Sequence, residues 1–367
     1  MVPLKSAGAV LTTCALLIAA CTASDAVAPV SRDVSPALAR GGGGGGGSAP
    51  GYTVIDIGTL PGHSTASAQA VNDAGMVVGT SSGSSEVVAF VWHNNVMTPL
   101  TAAGIPSVAN DISNGSSIYA VGWKSVDGNS RGMRWRLEGS PLTVVEELDV
   151  ESAAGHPQGM NDLGDVIGSR IRLNDGTVIS PDLPEGFTFR SGVDINNAGH
   201  SAFNLKGPAR QARAYLRLAS GQMVMLEPPA NMSADTSVVG AISEAVVDGS
   251  GRTVVYVAGK IQHTSSECTP VRWTVDVGGG SVIATETYSV SGSAWGANSL
   301  GQLTGTYGAR WSVSAFVWSG NQFTTLPMPK GVKNGKGYGM SPGGRYIAGQ
   351  GEKQLKNRAL LWTTVQN

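Results

Sequence analysis

The chain has 367 residues, a formal net charge of −1, 14% charged residues and 51 glycines. Near-neutral charge gives no bulk attraction to nucleic acid or to an anionic bilayer, so nucleic acid is not an expected partner. Helix formers are sparse, and Val, Thr, Ser and Gly dominate. That mix excludes a helical bundle and predicts many short strands joined by glycine turns.

Residues 1–20 read as a signal peptide. MVPLK supplies one lysine, and the apolar run AGAVLTTCALLIAA is too short to span a bilayer comfortably. The run leads into Ile18-Ala19-Ala20-Cys21, which resembles a bacterial lipobox: an aliphatic residue, two small residues and the cysteine that becomes lipidated. Cys21 is the expected lipid attachment residue, with an ordinary secretory signal as the alternative. Thr22 rather than aspartate follows, and by resemblance to Gram-negative lipoproteins this implies the outer membrane. Residues 21–51 form the lipidated cysteine and a tether containing seven consecutive glycines, Gly41–Gly47. Such a segment cannot bury enough apolar surface to fold. With Cys14 removed in the signal and Cys21 carrying lipid, Cys268 is expected to stand alone as a small packed apolar residue.

Residues 52–367 are built on a repeat. SAQAVNDAGMVVG (67–79) reads as a strand, a tight turn from Asn72 to Gly75, and a second strand. The pattern returns with closing glycines at Gly75, Gly115, Gly164, Gly199, Gly251, Gly301 and Gly344, spaced 40, 49, 35, 52, 50 and 43 residues apart. Unit one shows four strands: Ser67–Asn72, Met76–Thr80, Val87–Trp92 and Val96–Leu100. The third strand recurs as GMRW (132–135), ARAYLRL (212–218), PVRW (270–273), AFVW (315–318) and ALLW (359–362). Periods near 45 with four short strands predict an all-β, seven-bladed β-propeller. Unit three is short and lacks the tryptophan, so its strands are the least defined.

The last unit stops at TTVQN after Trp362, too short for a fourth strand, while YTVIDIGTL (Tyr52–Leu60) precedes unit one as an orphan strand. A ring leaves sheet edges unless first and last units join. Tyr52–Leu60 is therefore expected to complete blade seven. An open solenoid would need polar capping repeats, and none is evident.

IDIGTLPGHSTASAQAVNDAGMVVGTSSG (55–83), followed by AFVW and MTPL, resembles the HAF repeat family of bacterial extracellular proteins, as does SAFVWSGNQFTTL (314–326). The usual histidine before Ala-Phe is replaced by Val88 and Ser314. The resemblance implies export and a repeat array, and it carries over no catalytic residue.

The turn residues Asn72, Asp73, Asp111, Asn114, Asn161, Asp162, Asn196, Asn197, Asp248 and Asn298 offer one or two oxygens per loop, against the six to eight that calcium takes. Turn capping is the favoured reading. Small residues on the first strands, among them Ala68, Ala70, Gly159 and Gly296, fit crowding at an axis. The five histidines show no HxH or HExxH spacing, and no G-x-S-x-G elbow occurs. No catalytic residue, metal ligand or cofactor is assigned.

Loops joining second and third strands share one face of a propeller. The seven such loops sum to a formal charge of +7, while the whole chain is −1. Like charges converging there would attract an anion. Candidate ligand-binding residues are Arg210, Arg213, Arg310, Trp311, Lys353 and Lys356, contributed by three blades. The sequence thus favours a monomeric, lipid-anchored binding or scaffold module at the cell surface, with an anionic glycan or a surface protein as partner. The alternative is a polysaccharide hydrolase or lyase, which needs paired carboxylates or a metal near the axis.

Overall fold

A computed structural model describes residues 51–230, 232, 236–264, 267–309 and 312–365. The signal, the lipobox and all but the last residue of the tether lie outside them. Seven antiparallel sheets of four main strands form a ring, a seven-bladed β-propeller. Blade one comprises Thr65–Val71, Val77–Ser82, Val87–His93 and Val96–Pro99. One four-residue helix, Glu151–Ala154, is the only helix among the described residues. Blade three is the minimal blade, with four strands of two residues each.

The ring closes as the orphan strand predicts. Tyr52–Gly58 pairs antiparallel with Lys356–Thr364 and becomes the outer strand of blade seven. Asp56 grips the Arg358 guanidinium there, with Nε–Oδ2 at 3.0 Å and Nη2–Oδ1 at 3.1 Å. The Tyr52 hydroxyl donates to the Gly344 carbonyl at 3.2 Å. The chain therefore enters the ring on the face that carries the Asn–Gly turns.

Radial sheets hide their faces against one another, so the core lies between blades. Seven hydrophobic clusters each join neighbours: Trp273 lies between blades four and five, Trp362 between six and seven, Trp135 between one and two. All three indoles are fully buried, and each nitrogen donates to an acceptor, Glu227 O, Pro327 O and Glu147 Oε1 respectively. The recurring tryptophans are thus inter-blade packing, as the register of the repeat requires.

Two closing glycines depart from the pattern. Gly75, Gly164, Gly199, Gly301 and Gly344 all adopt positive φ in equivalent turns beside the axis. Blade two instead makes a longer turn from Ser113 to Tyr119, and Gly115 has no positive φ. In blade five the equivalent residue is Ser243, and Gly251 closes a turn on an inserted arm that includes Val246–Val247. Cys268 is buried and disulfide-bonded. This corrects the expectation that it stands alone.

Candidate functional site at the propeller axis

Each long inner strand skips one residue of its ladder near the middle. The skipped residues are Gln69, Asn110, Val193, Gly240, Trp295 and Tyr338. A bulge leaves its extra residue unpaired and re-aims it. Here all six line one axial cavity of about 210 Å³, together with Gln158 of blade three. The bulge also forces a close approach by the second strand. A Cβ on Gly79 would stand 2.0 Å from the Ser67 carbonyl oxygen, so only glycine fits there. Ala68 and Ala70 are buried, and a Cβ on Gly159 would meet the Val193 carbonyl oxygen at 2.7 Å, in keeping with the expected crowding.

Around the turn end of the cavity, polar residues tie each blade to the next. The Asp73 N–H donates to Asn114 Oδ1 at 2.7 Å, Asn114 N–H to Asp162 Oδ1, and Asp162 N–H to Asn197 Oδ1 at 2.8 Å. The Asn197 N–H donates to Glu244 Oε2 at 3.0 Å. Ser299 N–H reaches the Pro342 carbonyl and Gly343 N–H returns to Asp73 Oδ1 at 2.9 Å across the blade seven to blade one seam, while between blades five and six the tie is Arg272 Nη1 donating to the Gly301 carbonyl. A second set runs beneath it: the side-chain amides of Asn72, Asn161 and Asn196 donate to the carbonyls of Ser113, Asn196 and Ser243. The turn residues cap their own turns and also form an inter-blade belt. Among the described residues no group of three or more His, Cys, Asp or Glu could hold a metal ion.

Two carboxylates lie inside this belt. Asp111 accepts from Ile112 N–H at 2.8 Å and, across the blade boundary, from Met160 N–H at 2.9 Å. Asp194 repeats the arrangement with Ile195 and Ile242 N–H at 2.8 and 2.9 Å. Burial pushes the Asp111 carboxyl well above the usual carboxylate range, with the Asp194 charge adding to it. Burial raises Asp194 to about 6 and Glu244 to about 7, the latter helped by the nearby Asp162 and Asp194 charges. The cavity mouth on the turn face is therefore lined with carboxyl groups, of which Asp111, Asp194 and Glu244 are held above the usual carboxylate range.

The opposite end of the axis carries cations. Arg190 is exposed on the inner strand Thr188–Ile195 of blade four, and Lys336 is half-buried on Lys333–Met340 of blade seven. Lys260, on Thr253–Gln262 of blade five, is 3% exposed. Its ammonium stands 5.3 Å from the centre of the Trp295 ring, whose blade-six strand lines the cavity. Burial brings Lys260 down to about 8, with the Arg190 charge contributing.

The basic loops predicted from sequence lie on this same face, but they do not meet. Arg210 is exposed in the blade-four loop with φ of 65°, and Arg213 is half-buried with Nη1 lacking a hydrogen-bond partner. Lys353 and Lys356 flank the exposed hairpin tip Gln354-Leu355 of blade seven. Blades four and seven are three steps apart in a ring of seven, the widest separation it allows. None of these four residues lines the axial cavity. Arg310 and Trp311 lie outside the described residues. Sequence reasoning missed Lys260, Arg190 and Trp295 as a group; Trp295 lies outside the recurring third-strand motif that carries the other blade tryptophans.

No family model matches the chain, and no curated protein matches it. Among solved structures, it is similar to the Hadza microbial sialidase Hz136, at 10% identity and TM-score 0.41, over 85% of this chain and 68% of that one. It is also similar to AofleA from Arthrobotrys oligospora, at 8% identity and TM-score 0.39, over 88% and 92% of the two chains. A third is a Trypanosoma rangeli sialidase in complex with sialic acid, at 8% identity and TM-score 0.41, over 86% and 59%. Nothing about this chain's chemistry follows from likeness at that level.

Proposed function

We propose that this protein is a lipid-anchored, extracytoplasmic binding module of the HAF repeat type, which holds an anionic glycan or a surface protein rather than cleaving it. The carrying observation is the commitment of the axial carboxylates. Both oxygens of Asp111 and of Asp194 accept backbone N–H groups that belong to the blade frame. Asp162 accepts from Asn114 N–H and Asn197 Nδ2, and Glu244 accepts from Asn197 N–H. A general acid and base need oxygens available to a substrate, and these are occupied by architecture.

One observation favours the hydrolase reading: Glu244 and Asp194 have the raised values a general acid uses. A single experiment separates the two. The purified protein is exposed to an array of neutral, carboxylated and sulfated glycans, and new reducing ends are measured alongside retention. Retention of an acidic glycan without new ends supports the binding module. New ends that vanish in Glu244→Gln overturn it.

The anchor has its own test. Cys21→Ser is expected to move the protein from the membrane to the soluble fraction, and the Cys21 peptide of the native protein to carry a diacylglyceryl mass. A Cys21 peptide linked through a disulfide, or a variant that fractionates like wild type, would overturn the anchor.

A further inference from the structure

Lys260 is out of keeping with the repeat. It pairs with Val238, one step outside the bulge of its inner strand. At the same register the other blades place Thr80, Trp123, Asn204, Thr306 and Gln350. Only blade five puts a charge there. The residue is 3% exposed, and its ammonium makes no hydrogen bond or ion pair with any described residue and stands 5.3 Å from the centre of the Trp295 ring. Burial lowers its pKa, and the charge that adds to the effect is another cation, Arg190 of blade four.

Burying an unpaired charge is costly, and the usual resolutions are a partner or loss of the proton. The indole face offsets part of the cost. With a value of about 8 the group remains mostly charged at neutral pH. Two adjacent cations without a counter-anion, one deep and one exposed, form an incomplete set whose missing member is an anion.

We infer that Lys260, Arg190 and the Trp295 ring form a pocket for an oxyanion, the carboxylate or sulfate of an acidic glycan, at the axial end remote from the acidic belt. This deepens the binding reading above and rests on it. The Arg190 guanidinium can take two oxygens of the group side by side, while Lys260 supplies a point charge behind them. Trp295 gives the adjoining sugar ring an apolar face on which to stack.

The experiment uses the purified protein and three columns: heparin as the sulfated polymer, alginate as the carboxylated one and dextran as a neutral control. Wild type, Lys260→Met, Lys260→Arg and Arg190→Gln are compared at low salt, with affinities and melting temperatures measured. Lys260→Met keeps the length of the side chain and removes the charge. It is expected to weaken binding of the retained polymer at least tenfold, with Arg190→Gln following it and Lys260→Arg retaining binding. Without ligand, Lys260→Met is expected to melt at or above the wild-type temperature, because an unpaired buried charge has been removed. Preference between heparin and alginate tells sulfate from carboxylate.

If wild type binds but Lys260→Met elutes at the same salt, the pocket is wrong while the binding reading stands. If Lys260→Met melts below wild type, the lysine serves the frame and the pocket is likewise wrong. If wild type passes through heparin and alginate alike, both the pocket and the acidic-glycan reading fail.

Discussion

Single side chains at the axis do two jobs at once, and Glu244 shows the cost. It receives the Asn197 N–H that links blades four and five, and burial holds its carboxyl up at about 7. An unfolded glutamate titrates near 4.3. The folded state therefore binds the proton more tightly. The stability this group contributes is fully present below about pH 4 and is lost as pH rises through about 7. Glu244→Gln keeps an acceptor for Asn197 and removes the charge. The variant is expected to melt like wild type at pH 4 and progressively above it as pH rises from 4 to 7. A melting difference that is flat across this range, or that runs the other way, would refute the assignment. Other carboxylates pull oppositely, since Asp175 and Asp248 are held below their usual range mainly by local hydrogen bonds, so the comparison with the variant is the informative one.

At the scale of elements, the outer strand Tyr52–Gly58 is what turns a row of blades into a ring. It supplies a ladder to Lys356–Thr364 and the Asp56–Arg358 pair. Deleting residues 52–60 should leave the edge of blade seven open and lower the melting temperature markedly, whereas deleting residues 22–47 should leave it unchanged. Equal melting of the two deletions would contradict closure by this strand. The half-exposed ion pair contributes little by itself, about 0.5–1 kcal/mol, so Asp56→Ala is expected to cost far less than the whole strand.

These elements were legible because their residues are dictated by backbone geometry. Positive φ demands glycine at Gly75 and its partners, and the inter-blade gap demands an indole at Trp273 or Trp362. Where the backbone found another route, the pattern misled: Gly251 closes an inserted arm and Gly115 a longer turn. The axial site was not legible for a related reason. The bulge fixes where a side chain points and leaves its chemistry open, so Gln69, Val193, Gly240 and Trp295 occupy equivalent places without a common residue type. Lys260 looks like any strand lysine until Trp295 of the next blade is set against it. The basic loops could be counted in the sequence, and the order of the units in a ring of seven already set those of units four and seven three steps apart, too far to converge.

The whole molecule is polar along its axis. One end gathers Asp73, Asp162 and Glu244 in a hydrogen-bonded circuit. The other carries Lys260, Arg190 and the loops of Arg210 and Lys353. Both ends also bear isolated exposed leucines, Leu163 and Leu300 at 58% and 67% on the turn face and Leu355 at 90% on the loop face, which serve as positions for labels. The point at which the chain enters, Tyr52 beside Gly344, then decides which end is which for the cell. With a lipid on Cys21, the tether leaves from the acidic end. By the statistics of glycine-rich chains, the 30 residues Thr22–Gly51 would have a root-mean-square reach of about 30 Å. Anchored in that way, the disc would be held by its acidic underside, anionic lipids would push that side away, and the cationic end would look outward across the gap. In vesicles containing quencher lipids, a fluorophore at position 300 is expected to be quenched more than one at position 355, and the reverse order would mean that the ring lies the other way up. Held in this way, the protein would patrol a shell a few nanometres above its membrane with its anion-seeking surface already aimed at whatever approaches from outside.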